Sequence, residues 1–205
     1  GLCVDTMASS AALVFINGEF WGVYNFRERY SPEYVSDHTG ANKDTVTVIE
    51  NANNLYNQNP DVAFVDGSGV AGYADEFNWL LEFADTRDLS VPENFAWIES
   101  KLDLDSLIDL CAVRVFFNAT DWPENNIKLW RDTAPDSADA RWHFVLLDTD
   151  WGMGMKQTTG PEMNLLFILL NYSNGTYTKD CPLTRLLHAL RANRTFDEKL
   201  IARFW

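Results

Sequence analysis

The chain has little basic charge, and it lacks any long apolar run. Its 205 residues include 16 Lys and Arg against 30 Asp and Glu, which gives a net charge of −14 at pH 7. Such a surface repels nucleic acid, so we expect no nucleic-acid partner. It suits a basic protein substrate, although a merely solvated acidic surface has the same composition. No apolar run reaches the roughly 18 residues of a membrane span, so none is expected.

Cysteine and histidine occur only three times each, at widely separated positions. They form neither a metal-ligand spacing nor a disulfide framework. The six residues are Cys3, Cys111, Cys181, His38, His143 and His188. We expect Cys111 to be an inert residue on the buried stripe of a helix. The first ten residues also lack the basic segment and apolar core of a signal peptide.

The hydrophobic pattern predicts one α+β domain over residues 1–205. Strands are expected at 12–17, 21–28, 45–50, 126–131 and 142–147, with Asn17-Gly18 as a hairpin turn. Helices are expected at 31–40, 73–84, from 90 onwards, and at 104–119, 182–192 and 195–204, with Ser31 and Ser90 as N-caps. The polar stretch 51–72 predicts a loop. Residues 1–50 would supply strands of an amino-terminal lobe, and 71–205 a mainly helical lobe that carries the active-site loops.

The segment Thr120-Asp121-Trp122-Pro123 follows a long apolar helix and precedes a strand. Pro123 prevents the helix from continuing, so Asp121 is predicted to lie on a loop held by rigid elements on both sides. Catalytic residues often occupy such loops. An ordinary turn that ends a helix would explain the same residues, and the segment alone does not separate the two interpretations.

A second acidic group follows the apolar strand WHFVLL. Asp148 and Asp150 leave this strand within three residues, just before Trp151 and Gly152. Like charges this close to a core repel each other and are costly to bury, and a divalent cation would offset both costs. Oxygen ligands favour Mg²⁺ or Mn²⁺. The alternative is a pair of aspartates that cap a turn.

Together the two segments match the order of functional residues in protein kinases. There a catalytic-loop Asp precedes a metal-binding Asn by five residues, and a hairpin leads to an Asp-Phe-Gly that holds Mg²⁺. Here Asn126 follows Asp121 by five residues, and Asp150-Trp151-Gly152 is an aromatic variant of Asp-Phe-Gly. Asp121 is therefore the candidate catalytic residue, with Asn126, Asp150 and Asp148 as candidate metal ligands.

Four strings of the sequence closely resemble the CotH kinase family of spore-coat proteins. They are FINGEFWGVYNFRERY, NATDWPENNIKLWR, WHFVLLDTDWGMG and PLTRLLHALRANRTFDEKLIARFW. The resemblance implies an atypical protein-kinase-like fold and transfer of the ATP γ-phosphate to Ser or Thr of a coat or secreted protein. It also implies ATP and Mg²⁺ or Mn²⁺ as cofactors, and an extracellular, spore-coat or cell-surface location. Some related proteins act instead as surface adhesins.

The sequence departs from ordinary kinases at several points. Ala119-Thr120 stands where His-Arg precedes the catalytic Asp, and no Gly-rich loop or Val-Ala-Ile-Lys string is present. The resemblance implies further strands before this chain, so the amino-terminal lobe is expected to be incomplete. Within the chain, Lys128, Arg27 and Glu28 are the candidate cofactor-binding residues. The alternatives are a surface lysine on a short strand for Lys128, and a solvated strand end for Arg27 and Glu28.

Two other functions fit parts of the pattern. A non-catalytic surface, coat or adhesin module could retain the kinase fold, although it would not require Asp121, Asn126 and Asp150 together. A metal-dependent hydrolase could use Asp148 and Asp150, but it would need a nearby base, and only His143 is close in sequence.

Overall fold

The computed structural model of the chain describes residues 1–51, 63–155, 164–171 and 181–205. Strands and helices both occur throughout, as expected for an α+β fold. The strands are β1 Asp5–Thr6, β2 Ser9–Ile16, β3 Glu19–Arg27, β4 Val46–Asn51, β5 Phe64–Gly69, β6 Lys128–Asp132 and β7 His143–Leu146. The helices are α1 Pro32–Thr39, α2 Ala74–Thr86, α3 Pro92–Glu99, α4 Leu104–Phe117, α5 Leu165–Leu170, α6 Pro182–Leu190 and α7 Arg194–Arg203.

Five strands form one sheet in the order β1-β7-β6-β4-β5. Its central pairs β4–β6 and β6–β7 are antiparallel, and β1 pairs parallel with β7. The sheet therefore joins β4, from the first 51 residues, to β6 and β7, which flank the predicted active-site segments. This arrangement places the ends of β4, β6 and β7 beside one another.

Both faces of this sheet are buried, because successive side chains of a strand point to opposite faces. On one face Ile49, Leu129 and Phe144 are cross-strand neighbours that pack into the main core. That core also contains the apolar faces of α2, α4 and α6. On the other face Val48 and Trp130 pack with α1 in a second, smaller cluster.

The predicted hairpin is confirmed as a separate two-stranded sheet of β2 and β3. Asn17 and Gly18 both adopt positive φ, at 53° and 84°, as the tight turn requires. The hairpin leaves large apolar side chains in solvent, and Val23 and Phe26 are respectively 65% and 71% exposed.

Local signals correctly place both ends of α1. Ser31 accepts a hydrogen bond from Tyr34 N, and Gly40 ends α1 with φ 80°. Asp103 caps the start of α4, and Asn118 ends it in the left-handed region. Cys111 is buried in α4, where burial raises the pKa of its thiol to about 12, which fits an inert residue.

The structure corrects four details of the sequence-based prediction. Residues 64–69 of the predicted loop form β5, whereas 52–62 lie outside the described residues. Helix α3 begins one residue later than predicted: Val91 occupies the N-cap position without a side-chain capping bond, and the Ser90 hydroxyl donates to Asp88. Strand β6 begins at Lys128, and Asn126 precedes it with φ 59°. Finally, Leu165–Leu170 forms the short helix α5, where no element was predicted.

Among the described residues, no helix is both long enough and apolar enough to cross a membrane.

Candidate active site

The loop after α4 holds Asp121 in a fixed position. Trp122 is fully buried beneath it, and the Trp122–Pro123 peptide bond is cis. Asn126 Nδ2 donates to Asp121 Oδ2 at 2.5 Å, so the two residues separated by five positions meet side chain to side chain. The loop thus closes on itself before β6 begins.

The end of β4 braces this loop through one side chain. Asn51 Nδ2 donates to Glu124 O at 2.8 Å, and Asn51 Oδ1 accepts from Ile127 N at 3.1 Å. These two bonds connect both ends of the segment 124–127 to β4. Sequence reasoning missed Asn51, because its role depends on the pairing of β4 with β6.

The second acidic segment forms a tight turn after β7. Asp148 adopts φ 49°, and Gly152 N donates to Thr149 O at 3.0 Å. Met153 N then donates to Phe117 O at 2.7 Å, which anchors the turn to the last residue of α4. A Cβ atom on Gly152 would lie 2.6 Å from that same carbonyl oxygen, so the approach requires glycine.

The two segments line one cavity of about 350 Å³. Five of the seven predicted site residues line it: Asp121, Asn126, Lys128, Asp148 and Asp150. The other described lining residues are Glu50, Asn51, Asn125, Ile127, Leu147 and Trp151. The volume lies within the range of small-ligand sites.

Four carboxylates line this cavity against one lysine, which makes it negative. A hydrogen bond with Asp148 is the main cause that raises the pKa of Asp150, followed by desolvation and the charges of Asp148 and Asp121. Asp150 N also approaches Asp148 Oδ1 at 3.5 Å. The carboxyl groups are therefore close enough to repel each other, and a bound cation would relieve that repulsion.

Lys128 supplies positive charge at the edge of the cavity. Its Nζ lies 2.7 Å from Glu50 Oε2, and the two residues are direct cross-strand partners in β6 and β4. Glu50 was not predicted from the sequence. An ion pair of this kind orients a lysine toward the cavity in which both residues lie.

Arg27 and Glu28 do not line the cavity. Arg27 is exposed at the end of β3. Glu28 accepts a hydrogen bond from Ala8 N at 2.7 Å and pairs with His38 Nε2 at 2.9 Å. These bonds, first the one from Ala8, lower the pKa of Glu28. The structure thus does not bring this pair together with the other predicted site residues.

A buried arginine connects the two segments, and sequence reasoning missed it. Arg114 on α4 is 0% exposed and donates to the main-chain oxygens of Asn126, Leu147 and Asp148. Burial lowers its pKa to about 10, and the charges of Asp121 and Asp148 partly offset that effect. A charged residue in the apolar run LIDLCAVRVFF was the available signal.

Of the four tryptophans near these motifs, only Trp151 lines the cavity. Trp122 and Trp142 are fully buried in the main core. Trp130 stacks on the His143 ring at a centroid distance of 4.4 Å. Trp151 is therefore the tryptophan available to contact a bound ligand.

The donor set of the cavity fits Mg²⁺ or Mn²⁺. Carboxylate and amide oxygens are the ligands that these hard cations prefer, and Asp148, Asp150 and Asn126 supply them. Across the described part of the chain, no three His, Cys, Asp or Glu side chains are grouped so that they could hold a metal ion by themselves. Mg²⁺ commonly keeps several waters and takes one or two carboxylates plus substrate phosphates, so it needs no such cluster.

The chain was compared with protein families and with individual curated proteins. No individual curated protein matches it. The family described as CotH kinase protein matches residues 1–205, which is the whole chain. The resemblance carried by the four sequence strings is confirmed, and the chain belongs to the CotH kinase family.

Proposed function

We propose that the protein is an atypical, metal-dependent Ser/Thr protein kinase with a protein-kinase-like fold. The observation that carries the proposal is the convergence of Asp121, Asn126 and Asp150 on one cavity, in the chain order of a kinase active site. Membership of the CotH kinase family supports the same reaction class.

Each residue has a distinct role in this proposal. Asp150 and Asn126 hold the cation that accompanies ATP, with Asp148 as a bridging or supporting carboxylate. When bound, the cation neutralises charge on the transferring phosphoryl group. Asp121 orients the substrate hydroxyl and accepts its proton, and its bond from Asn126 Nδ2 fixes the carboxylate for that task. Lys128, set by Glu50, contacts the nucleotide phosphates.

The substrate is proposed to be a Ser/Thr-containing coat or secreted protein with basic character. The net charge of −14 and the negative cavity favour a basic segment near the phosphorylated residue. The location that follows is a spore coat or another extracellular surface, as the family association suggests.

The test is transfer of labelled γ-phosphate from ATP to the protein itself and to a basic Ser-containing protein, with Mg²⁺ or Mn²⁺. We expect transfer that a chelator abolishes. Asp121→Asn should reduce the rate by about 10²–10⁴-fold, the usual contribution of a positioned acid–base residue. A variant as active as the parent would exclude Asp121 from catalysis.

A non-catalytic coat, surface or adhesin module is the second candidate. The bond between Asn126 and Asp121 fits this function as well, because an amide engaged within its own loop also serves a purely structural turn. The two candidates differ in nucleotide binding. If calorimetry detects no ATP binding in the presence of Mg²⁺ or Mn²⁺, the non-catalytic function is favoured.

The hydrolase interpretation finds no histidine among the described residues that line the cavity. His143, the only histidine near the motifs in sequence, bonds through Nδ1 to Asp103 Oδ2 at 3.0 Å. Its ring stacks on Trp130 in the second cluster and does not line the cavity.

A further inference from the structure

The Arg114 side chain of α4 bonds to both acidic segments of the site. Its Nη2 donates to Asn126 O at 3.0 Å and also to Leu147 O, and its Nη1 donates to Asp148 O at 2.5 Å. One rigid guanidinium therefore fixes the main chain on either side of the cavity. The three carbonyls belong to segments more than 20 residues apart in sequence.

The free-energy cost of burying the Arg114 guanidinium indicates that this residue does more than fill space in the core. The guanidinium is fully buried, and its Nε has no hydrogen-bond partner among the described residues. A buried cation is expensive unless it is paired or fully hydrogen-bonded. Here its hydrogen bonds go to main-chain oxygens of the two segments, whose residues Asp121 and Asp148 line the cavity.

The choice of arginine also follows from geometry. The planar guanidinium presents several donors in a fixed fork, so it sets the separation between the carbonyls that it contacts. Lysine has a single compact ammonium group on a flexible stem, and it would keep the charge but lose the fork. Two strained residues, Asn126 at φ 59° and Asp148 at φ 49°, are held by these bonds.

We propose that Arg114 is the positioning residue of the site: it sets the distance between the Asn126 loop and the Asp148–Asp150 turn. This inference rests on the proposed function, in which those two segments share a cation. Arg114 contacts neither the cation nor the substrate. It acts through the main chain of Asn126 and Asp148, which are proposed to bind the cation.

The test compares three variants by Mn²⁺ affinity, measured without nucleotide. Arg114→Met should raise the Mn²⁺ Kd about tenfold or more, the usual effect of losing a group that orients metal ligands. Arg114→Lys should fall between Arg114→Met and the parent. The matched control is Arg131→Met, which removes another largely buried arginine, one that pairs with Glu76 and lies over Trp142 outside the cavity. It should leave the affinity unchanged. Equal affinities for Arg114→Met and Arg131→Met would overturn the proposal.

Amide hydrogen exchange provides a readout that does not depend on metal binding or activity. In Arg114→Lys, which keeps the buried charge, we expect faster exchange at Ile127 and Met153, whose amides report the two segments. Exchange in β4 should stay at the parent rate, except at Asn51, whose own amide donates to Ile127 O. Faster exchange confined to α4, or spread evenly over the chain, would contradict a positioning role.

The two readouts also separate the inference from the proposed function. If the parent and Asp150→Asn bind Mn²⁺ equally, the proposed metal site is wrong, and the exchange result alone decides the role of Arg114. If Arg114→Met does not fold, Arg114→Lys supplies both measurements.

Discussion

Replacing Gly152 by alanine should displace the Asp148–Gly152 turn from the end of α4. The added Cβ would lie 2.6 Å from Phe117 O, 3.0 Å from Thr149 O and 3.2 Å from Phe117 Cβ. Two of these atoms belong to the backbone and cannot rotate away, so the turn itself must move. Asp150 lies two residues before Gly152 and would move with the turn.

The expected loss of stability has two contributions, overpacking and a lost hydrogen bond. Overpacking of a close contact costs about 1–3 kcal/mol. The hydrogen bond from Met153 N to Phe117 O is formed at 2.7 Å at the same point, and its loss would add about 0.5–1.5 kcal/mol. We therefore expect Gly152→Ala to lower the free energy of unfolding by about 2–4 kcal/mol, measured by urea denaturation.

The same variant should weaken Mn²⁺ binding, because the Asp150 carboxylate shifts relative to Asn126. Gly40→Ala is the control. An alanine at position 40, at the end of α1, would be strained by the backbone φ of 80°, but its Cβ would have no heavy atom nearby. It should lose about 1 kcal/mol of stability and keep the metal affinity. A Gly152→Ala protein with the stability and metal affinity of the parent would refute the close approach.

Two further predictions follow from charged pairs. Lys128→Met should raise the apparent Kd for ATP about 10–100-fold, which is the value of a charge-assisted hydrogen bond. It should change the free energy of unfolding by less than about 1 kcal/mol, because the ion pair with Glu50 is partly exposed. An unchanged nucleotide affinity in calorimetry would exclude Lys128 from the phosphate site. The bond with Arg141 lowers the pKa of Asp139 from 3.8 to about 2, so the stability from this pair is complete above about pH 4 and is lost as the pH falls to 2. With solvent screening, Asp139→Asn should cost about 1 kcal/mol in urea denaturation at pH 7 and almost nothing at pH 2, and an equal cost at both values would contradict the assignment.

Much of the fold could be predicted from the sequence because its signals are local. The Asn17-Gly18 turn and the Ser31 cap each depend on a few neighbouring residues. Strand β5 was missed because its sequence FVDGSG has the composition of a loop, and only its pairing with β4 makes it a strand. The predicted Ser90 cap was wrong because α3 begins one residue later, with Val91 at the N-cap position.

The residues of the candidate site likewise fall into those with local sequence signals and those whose contacts depend on the tertiary fold. Asp121, Asn126, Asp148 and Asp150 could be found because each lies directly beside a recognisable helix or strand. Glu50 and Asn51 could not, since their contacts depend on the register between β4 and β6. Arg114 lies within an apolar helix pattern, and nothing local shows that its partners are carbonyls of distant segments.

The roles assigned to the two aspartates are the centre of the account. Both line the same cavity, but Asp150 is placed with the proposed cation and Asp121 with the substrate hydroxyl. A residue that positions a hydroxyl acts mainly in the transition state, so its loss should reduce turnover far more than nucleotide binding.

The most direct measurement is ATP affinity and phosphoryl-transfer rate for Asp121→Ala and Asp150→Ala, in parallel with the parent and with Mg²⁺ or Mn²⁺ present. We predict that Asp121→Ala keeps the ATP affinity of the parent within about threefold and loses at least about 10²-fold in rate. Asp150→Ala should lose both affinity and rate. If Asp121→Ala lost ATP binding while Asp150→Ala kept it, the two roles would be reversed, and if both variants transferred phosphate at the parent rate, the site would not be catalytic.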